Sequence, residues 1–200
     1  MNDPTAFFDM LMVIKTIVVY LILVLFLIDL SRADSYNKIA RIIKILLFPL
    51  LLIFNVHYKK INIGLLFAAF LINFISFYIL LPGYDLGTIF NFSLFQTTKI
   101  LIGLLKFVVI AGVVLSWFYA FGMNLYNSAT SLIQEVYETT VSIFRNIIPP
   151  TAGFDLSPLI AFFVFQLAER VLDILMFEYF SYFFRRTYLS ILCPFFRPLL

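Results

Sequence analysis

The chain has 200 residues, of which 63% are hydrophobic and 12% charged, and its formal net charge is +3. A soluble domain of this length needs polar groups over most of its surface, so the composition excludes one and points to an integral membrane protein. The single Cys193 leaves no internal disulfide, and the single His57 argues against a His/Cys metal cluster.

Residues 10–28 (MLMVIKTIVVYLILVLFLI) form the first apolar run. At 1.5 Å per residue, about 20 residues match the roughly 30 Å hydrocarbon core of a bilayer. Asp3 and Asp9 stand where a signal peptide carries basic residues, and no small-residue cleavage site follows Leu30. The run is therefore expected to remain as an anchor spanning about 10–30.

The next segment, 37–58, carries Lys38, Arg41 and Lys44 along one side of a helix whose other side is Ile, Leu and Phe. Its apolar stretch from Ile45 to Phe54 contains Pro49 and is too short to span, which predicts an interfacial helix. With Lys59 and Lys60, the basic side suits anionic lipid headgroups. Residues 61–81 predict a second span and 99–121 a third.

Residues 128–148 (SATSLIQEVYETTVSIFRNII) set Leu132, Val136, Ile143 and Ile147 against Ser131, Gln134, Glu138 and Arg145. That 3.6-residue period predicts a second interfacial helix, less suited to anionic lipid because of Glu135 and Glu138. Packing of either amphipathic helix on its own bundle fits equally well. Pro149 and Pro150 then stop the helix, and Gly153 permits a change of direction. Asp155 or Ser157 can cap the next helix, and Pro158 suits its first position. A structural elbow accounts for all six residues. Residues 157–177 predict a fourth span, followed by an aromatic tail.

The chain also reads as a repeat. At an offset of 90, Leu11 falls on Leu101, Val18-Val19 on Val108-Val109, and Tyr36-Asn37 on Tyr126-Asn127; at 93, Asn62 falls on Asp155 and Asn73 on Gln166. The expected architecture is all-α: four transmembrane helices in two parallel repeats, 1–90 and 91–200, each with an interfacial helix between its spans. Arg32, Lys38, Arg41, Lys44, Lys59 and Lys60 fall between the first two spans, so 29–61 and 122–156 are expected in the cytoplasm. Arg185, Arg186 and Arg197 count against that orientation.

Charges inside a span invite a functional hypothesis. Gln166, Arg170 and Asp173 share one face of the last span, and counting from the helix starts puts Lys15, Lys106, Glu169, Arg170 and Asp173 in one layer. A buried ion-pair cluster or a polar path is one reading. The favoured one has Lys15 and Lys106 snorkelling to the headgroups and Glu169 pairing with Arg170 in a structural role. Asn73 and Gln166 read as interhelical hydrogen-bond partners. No catalytic constellation, metal-ligand spacing or phosphate loop appears, and no cofactor is expected.

The stretch from Tyr137 to Phe163 (YETTVSIFRNIIPPTAGFDLSPLIAFF) resembles the signature of the bacterial YggT family, whose relatives in Gram-positive bacteria and plastids are called YlmG. The match lies at Arg145, Pro149, Gly153, Asp155, Ser157 and Pro158, and Leu115-Ser116-Trp117 also looks familial. The first repeat departs from the pattern: it keeps Asn62 but lacks the Pro-Gly turn, and Asn55 stands where an arginine is expected. The resemblance implies a small, two-unit membrane protein with no established enzymatic activity. It links the chain to osmotic or extracytoplasmic stress and cell-division regions in bacteria, and to cytochrome maturation and nucleoid organisation in plastids. The expectation is a non-catalytic bacterial inner-membrane scaffold or stress component. Its partners would be anionic lipid, other membrane proteins or itself, with no nucleic acid or small-molecule substrate. The rival is a small channel or solute transporter using the polar layer.

Overall fold

The computed structural model describes residues 4–31, 37–54, 56–58, 61–80, 83–146 and 155–196. Among these residues, seven helices follow in chain order: α1 (Pro4–Ser31), α2 (Lys38–Leu46), α3 (Phe48–Phe54), α4 (Ile63–Leu80), α5 (Leu86–Ala120), α6 (Ser128–Arg145) and α7 (Ser157–Phe196). Between α3 and α4, β1 (His57–Tyr58) and β2 (Ile61–Asn62) form a two-residue antiparallel ribbon, His57 opposite Asn62. Among the described residues, three helices are long and apolar enough to cross a membrane: α1 from Met10 to Ser31, α4, and α5. α7 is long enough, but Glu169, Arg170 and Asp173 interrupt its apolar stretch.

Two cores of contact build the bundle. α1 turns Val19, Ile22, Leu23 and Leu25 inward, fully buried, against Leu65 and Ala69 of α4 and Val109 of α5. Its earlier residues Val13, Ile14 and Ile17 stay exposed, as do Phe67, Ile75 and Ile79 on α4. So large an apolar surface is stable in lipid and not in water. α4 and α5 form an antiparallel hairpin held by Phe77 on Phe92 and Phe70 on Phe90, both edge-to-face.

The boundaries differ from expectation in three places, each for a local reason. The helix predicted over 37–58 is broken at Leu47, gives α2 and α3, and ends at Phe54 before the ribbon. Pro49 has no N–H to continue the ladder, so the chain restarts with Leu50 and Leu51 both donating to the Leu47 carbonyl. The third span starts at Leu86 rather than 99. Asp85 caps it by accepting from the Thr88 amide (3.0 Å) and hydroxyl (2.6 Å). At its other end, Gly122 takes φ 77°, and Met123 donates back to the Phe118 carbonyl (3.0 Å), which closes α5. The aromatic tail is the continuation of α7, which holds 40 residues in one helix.

The two amphipathic segments sit differently. α6 buries Leu132, Val136, Tyr137 and Val141 against α1 and α5, so its apolar face packs on the bundle. α2 and α3 leave Ile42, Ile45, Leu46, Leu52 and Ile53 exposed, each above 60%.

Candidate functional site

Polar side chains gather along the antiparallel contact of α5 and α7. Lys106 donates to Gln166 Oε1 (3.0 Å) and to Glu169 Oε2. One heptad away on each helix, Lys99 pairs with Asp173. Farther along, Asn91 donates to the Tyr179 hydroxyl (2.8 Å). The spacing explains the seam: seven residues return a helix to nearly the same face, so 99 and 106 on α5 meet 173 and 166 on α7. The Lys106–Glu169 pair is the more enclosed, with side chains 17% and 22% exposed. Burying either charge alone in an apolar bundle is costly, and each neutralises the other.

The sequence-predicted residues are thus redistributed. Lys106 reaches across to α7 rather than to the headgroups, and Glu169 pairs with it rather than with Arg170, which is exposed. Adjacent helical residues point about 100° apart, so 169 and 170 share no face. Lys15 lies over the ring of Phe77, 4.7 Å from its centroid. Phe77 meets Phe92, fourteen residues before Lys106 on α5, or about 21 Å along the axis. Lys15 is therefore not in the layer of Lys106 and Glu169, and Asp173, paired with Lys99 one heptad along α5, lies between the two levels. Asn73, fully buried, donates to the Thr97 hydroxyl (2.9 Å), and Gln166 accepts from Lys106, so both make interhelical bonds to α5.

At the elbow, Arg145 at the end of α6 donates to Asp155 through Nε (2.9 Å) and to Glu138 through Nη1 (3.1 Å), with Nη2 in ion-pair contact with Asp155 Oδ2 (2.8 Å). Asp155 Oδ1 also accepts from the Ser157 amide (2.9 Å), which begins α7. Ser157, then Arg145, hold the Asp155 carboxyl below the ordinary carboxylate range. Asp155 and Glu138 raise Arg145 in turn. Burial pushes the Tyr137 phenol up, with Glu138 and Asp155 adding to it. One ion-pair triad thus ties the end of α6 to the start of α7. Pro158 follows in the first turn of α7, as its fixed φ allows. Pro149, Pro150 and Gly153 lie outside the described residues, as do Lys59 and Lys60. On α2, Lys44 pairs with Asp29 (3.2 Å), while Lys38 and Arg41 are exposed.

Above the triad, α5, α6 and α7 enclose a crevice of about 740 Å³. Val109, Val113, Trp117, Leu159 and Phe162 form its apolar wall, and Gln134, Glu138, Arg145 and Asp155 its polar end. The α5–α6 approach beside it is close: a Cβ on Gly112 falls 2.2 Å from the Tyr137 ring.

Sequence reasoning missed Lys99, Glu138, Thr97 and Trp117 as members of these groups. Glu138 and Arg145, seven apart on one predicted helix, carried a usable signal; cross-helix partners carried none.

A bundle of long apolar helices, lipid-facing side chains and a paired polar seam defines the class: a helical membrane protein. Residues 91–177, which hold most of α5, all of α6 and most of the seam on α7, match the model of the CCB3/YggT family. It is also 29% identical over 175 residues to the protein named Uncharacterized protein PA0392 of Pseudomonas aeruginosa, covering 82% of this chain and 87% of that one. No solved structure matches.

Proposed function

We propose that this chain is a non-catalytic scaffold of a bacterial cytoplasmic membrane, with α7 as a fourth crossing that returns beside α5. The observation that carries this reading is the pairing of four charges along the α5–α7 contact. Lys106 with Glu169, and Lys99 with Asp173, remove the cost that bars an unpaired α7 from the bilayer. Charges spent on each other hold helices together and leave few groups to solvate a passing ion.

Two parallel repeats fit the capped helix starts. Asn37 caps α2 by accepting from the Ile39 amide (3.0 Å), and Asn127, 90 residues on, caps α6 by accepting from Ala129 (2.9 Å) and Thr130 (3.0 Å). Asn37 also donates to the Ser128 carbonyl (2.7 Å), so these equivalent starts touch. The exposed apolar face of α2 and α3, with Lys38 and Arg41 beside it, suits a headgroup plane rich in anionic lipid. The Lys/Arg bias puts that plane in the cytoplasm. The family's association with osmotic or envelope stress then reads as an assembly role for partners in the membrane.

Liposome reconstitution tests this. The scaffold reading expects no solute or ion flux above that of protein-free vesicles, and a reproducible partner on crosslinking in native membranes. Flux abolished by Lys106→Met and Asp173→Asn would replace it with a channel.

A further inference from the structure

The crevice between α5, α6 and α7 has an apolar wall and a charged end, the division of a membrane lipid into chain and headgroup. We propose that it binds a phospholipid with a primary-amine headgroup, its acyl chain along Val113 and Phe162. The proposal rests on the membrane class of the chain and not on its role as a scaffold.

The polar end decides the headgroup. Glu138 and Asp155 bring two negative charges against the single positive charge of Arg145, so the end is net negative. Gln134 donates to Glu138 (3.2 Å), but its buried Oε1 accepts no hydrogen bond among the described residues. Acceptors are therefore in excess, and an ammonium with three N–H donors answers both the charge and the orphan oxygen. A quaternary ammonium has no N–H to give, and a purely anionic headgroup meets the wrong sign. Arg145 donates two of its five N–H groups to Asp155 and Glu138 and turns Nη2 to Asp155 in ion-pair contact, which leaves two N–H groups for a phosphate oxygen. The volume falls within the roughly 300–1,000 Å³ of ligand clefts. Trp117, 63% exposed, stands in the wall as indoles do at a membrane interface.

Trp117 is the single tryptophan of the chain, so the fluorescence comes from this wall of the crevice alone, and the choline lipid sets the level of quenching by surrounding bilayer. The full-length protein is reconstituted in phosphatidylcholine nanodiscs carrying increasing fractions of brominated phosphatidylethanolamine, phosphatidylcholine or phosphatidylglycerol. The expected result is quenching by the ethanolamine lipid at a roughly tenfold lower mole fraction than by the other two, as one charge-assisted hydrogen bond predicts. Unbrominated ethanolamine lipid should reverse it, and Gln134→Leu should shift it toward the choline lipid. Equal quenching by all three lipids overturns the proposal, as does preference for the glycerol lipid. That comparison is made on the unmutated protein and needs no variant to fold.

Discussion

The first and second halves of this chain solve one problem with different chemistry. Each runs from a long helix through an amphipathic connection to a helix that packs back antiparallel on the first. In the first half the joint is made by close approach: a Cβ on Gly64 would lie 1.8 Å from the Phe54 carbonyl oxygen, because α3 and α4 meet backbone to backbone. In the second half the joints are made by charge, Arg145 on Asp155 at the elbow and Lys106 on Glu169 along the seam. The connections differ accordingly. α6 spends its apolar face on the bundle, whereas α2 and α3 keep theirs for the surroundings. Shape needs no partner charge and tolerates no added atom; charge tolerates repacking and fails when one partner is lost.

The largest effect should come from Gly64→Ala. The clash is with backbone that cannot rotate away, so a loss of about 3 kcal/mol or more is expected in denaturant unfolding of the detergent-solubilised protein. Gly103→Ala, with nothing within 4 Å, should instead be neutral or stabilise by up to about 1 kcal/mol. Equal effects at the two glycines would erase the close-approach joint.

Lys106→Met should come next, at about 2–3 kcal/mol, because it leaves Glu169 without its partner in an enclosed seam. Lys99→Met should cost less than about 1 kcal/mol, since that pair is more than a third exposed. Thermal unfolding ranks them, and the reverse order would place the weight of the seam elsewhere.

The connections separate more gently. Val141→Ala in α6, where the side chain is fully buried, should cost about 1–3 kcal/mol. Ile45→Ala in α2, 67% exposed, should leave unfolding within about 0.5 kcal/mol and weaken membrane contact instead. Matching losses at both would mean that α2 is packed as α6 is.

The smallest effect is with pH. Asp155 is held below the ordinary aspartate value of about 3.9, so its contribution is full above that value and is lost as pH falls through the lowered one. The elbow should loosen only below about pH 4, by less than about 1 kcal/mol because the group is partly solvated, and Asp155→Asn should abolish the dependence. Hydrogen exchange at the first turn of α7 reads it.

Much of this was legible in the sequence. The runs at 10–30 and 61–81 became α1 and α4, and the Tyr-Asn pairs marked capped starts of α2 and α6. The start of α5 was not legible, because Thr88, Ser93, Thr97 and Thr98 look like loop chemistry. Inside the helix, Ser93, Thr97 and Thr98 donate to the carbonyls four residues back at 2.7–2.8 Å and so satisfy themselves locally. Starting that helix at 99 hid the register on which the seam depends. Lys106 then read as a residue near a membrane surface. The basic connector was readable as amphipathic, but its break at Leu47 depends on where the ladder fails before Pro49.

The central claim is that paired charge holds α7 against α5. A double-mutant cycle of Lys106→Met and Glu169→Gln, followed by unfolding of the full-length protein in bilayer mimetics, tests it most directly. The account predicts a coupling of about 1 kcal/mol or more, with the double variant more stable than the lysine variant alone. Losses that add to within about 0.5 kcal/mol would contradict it.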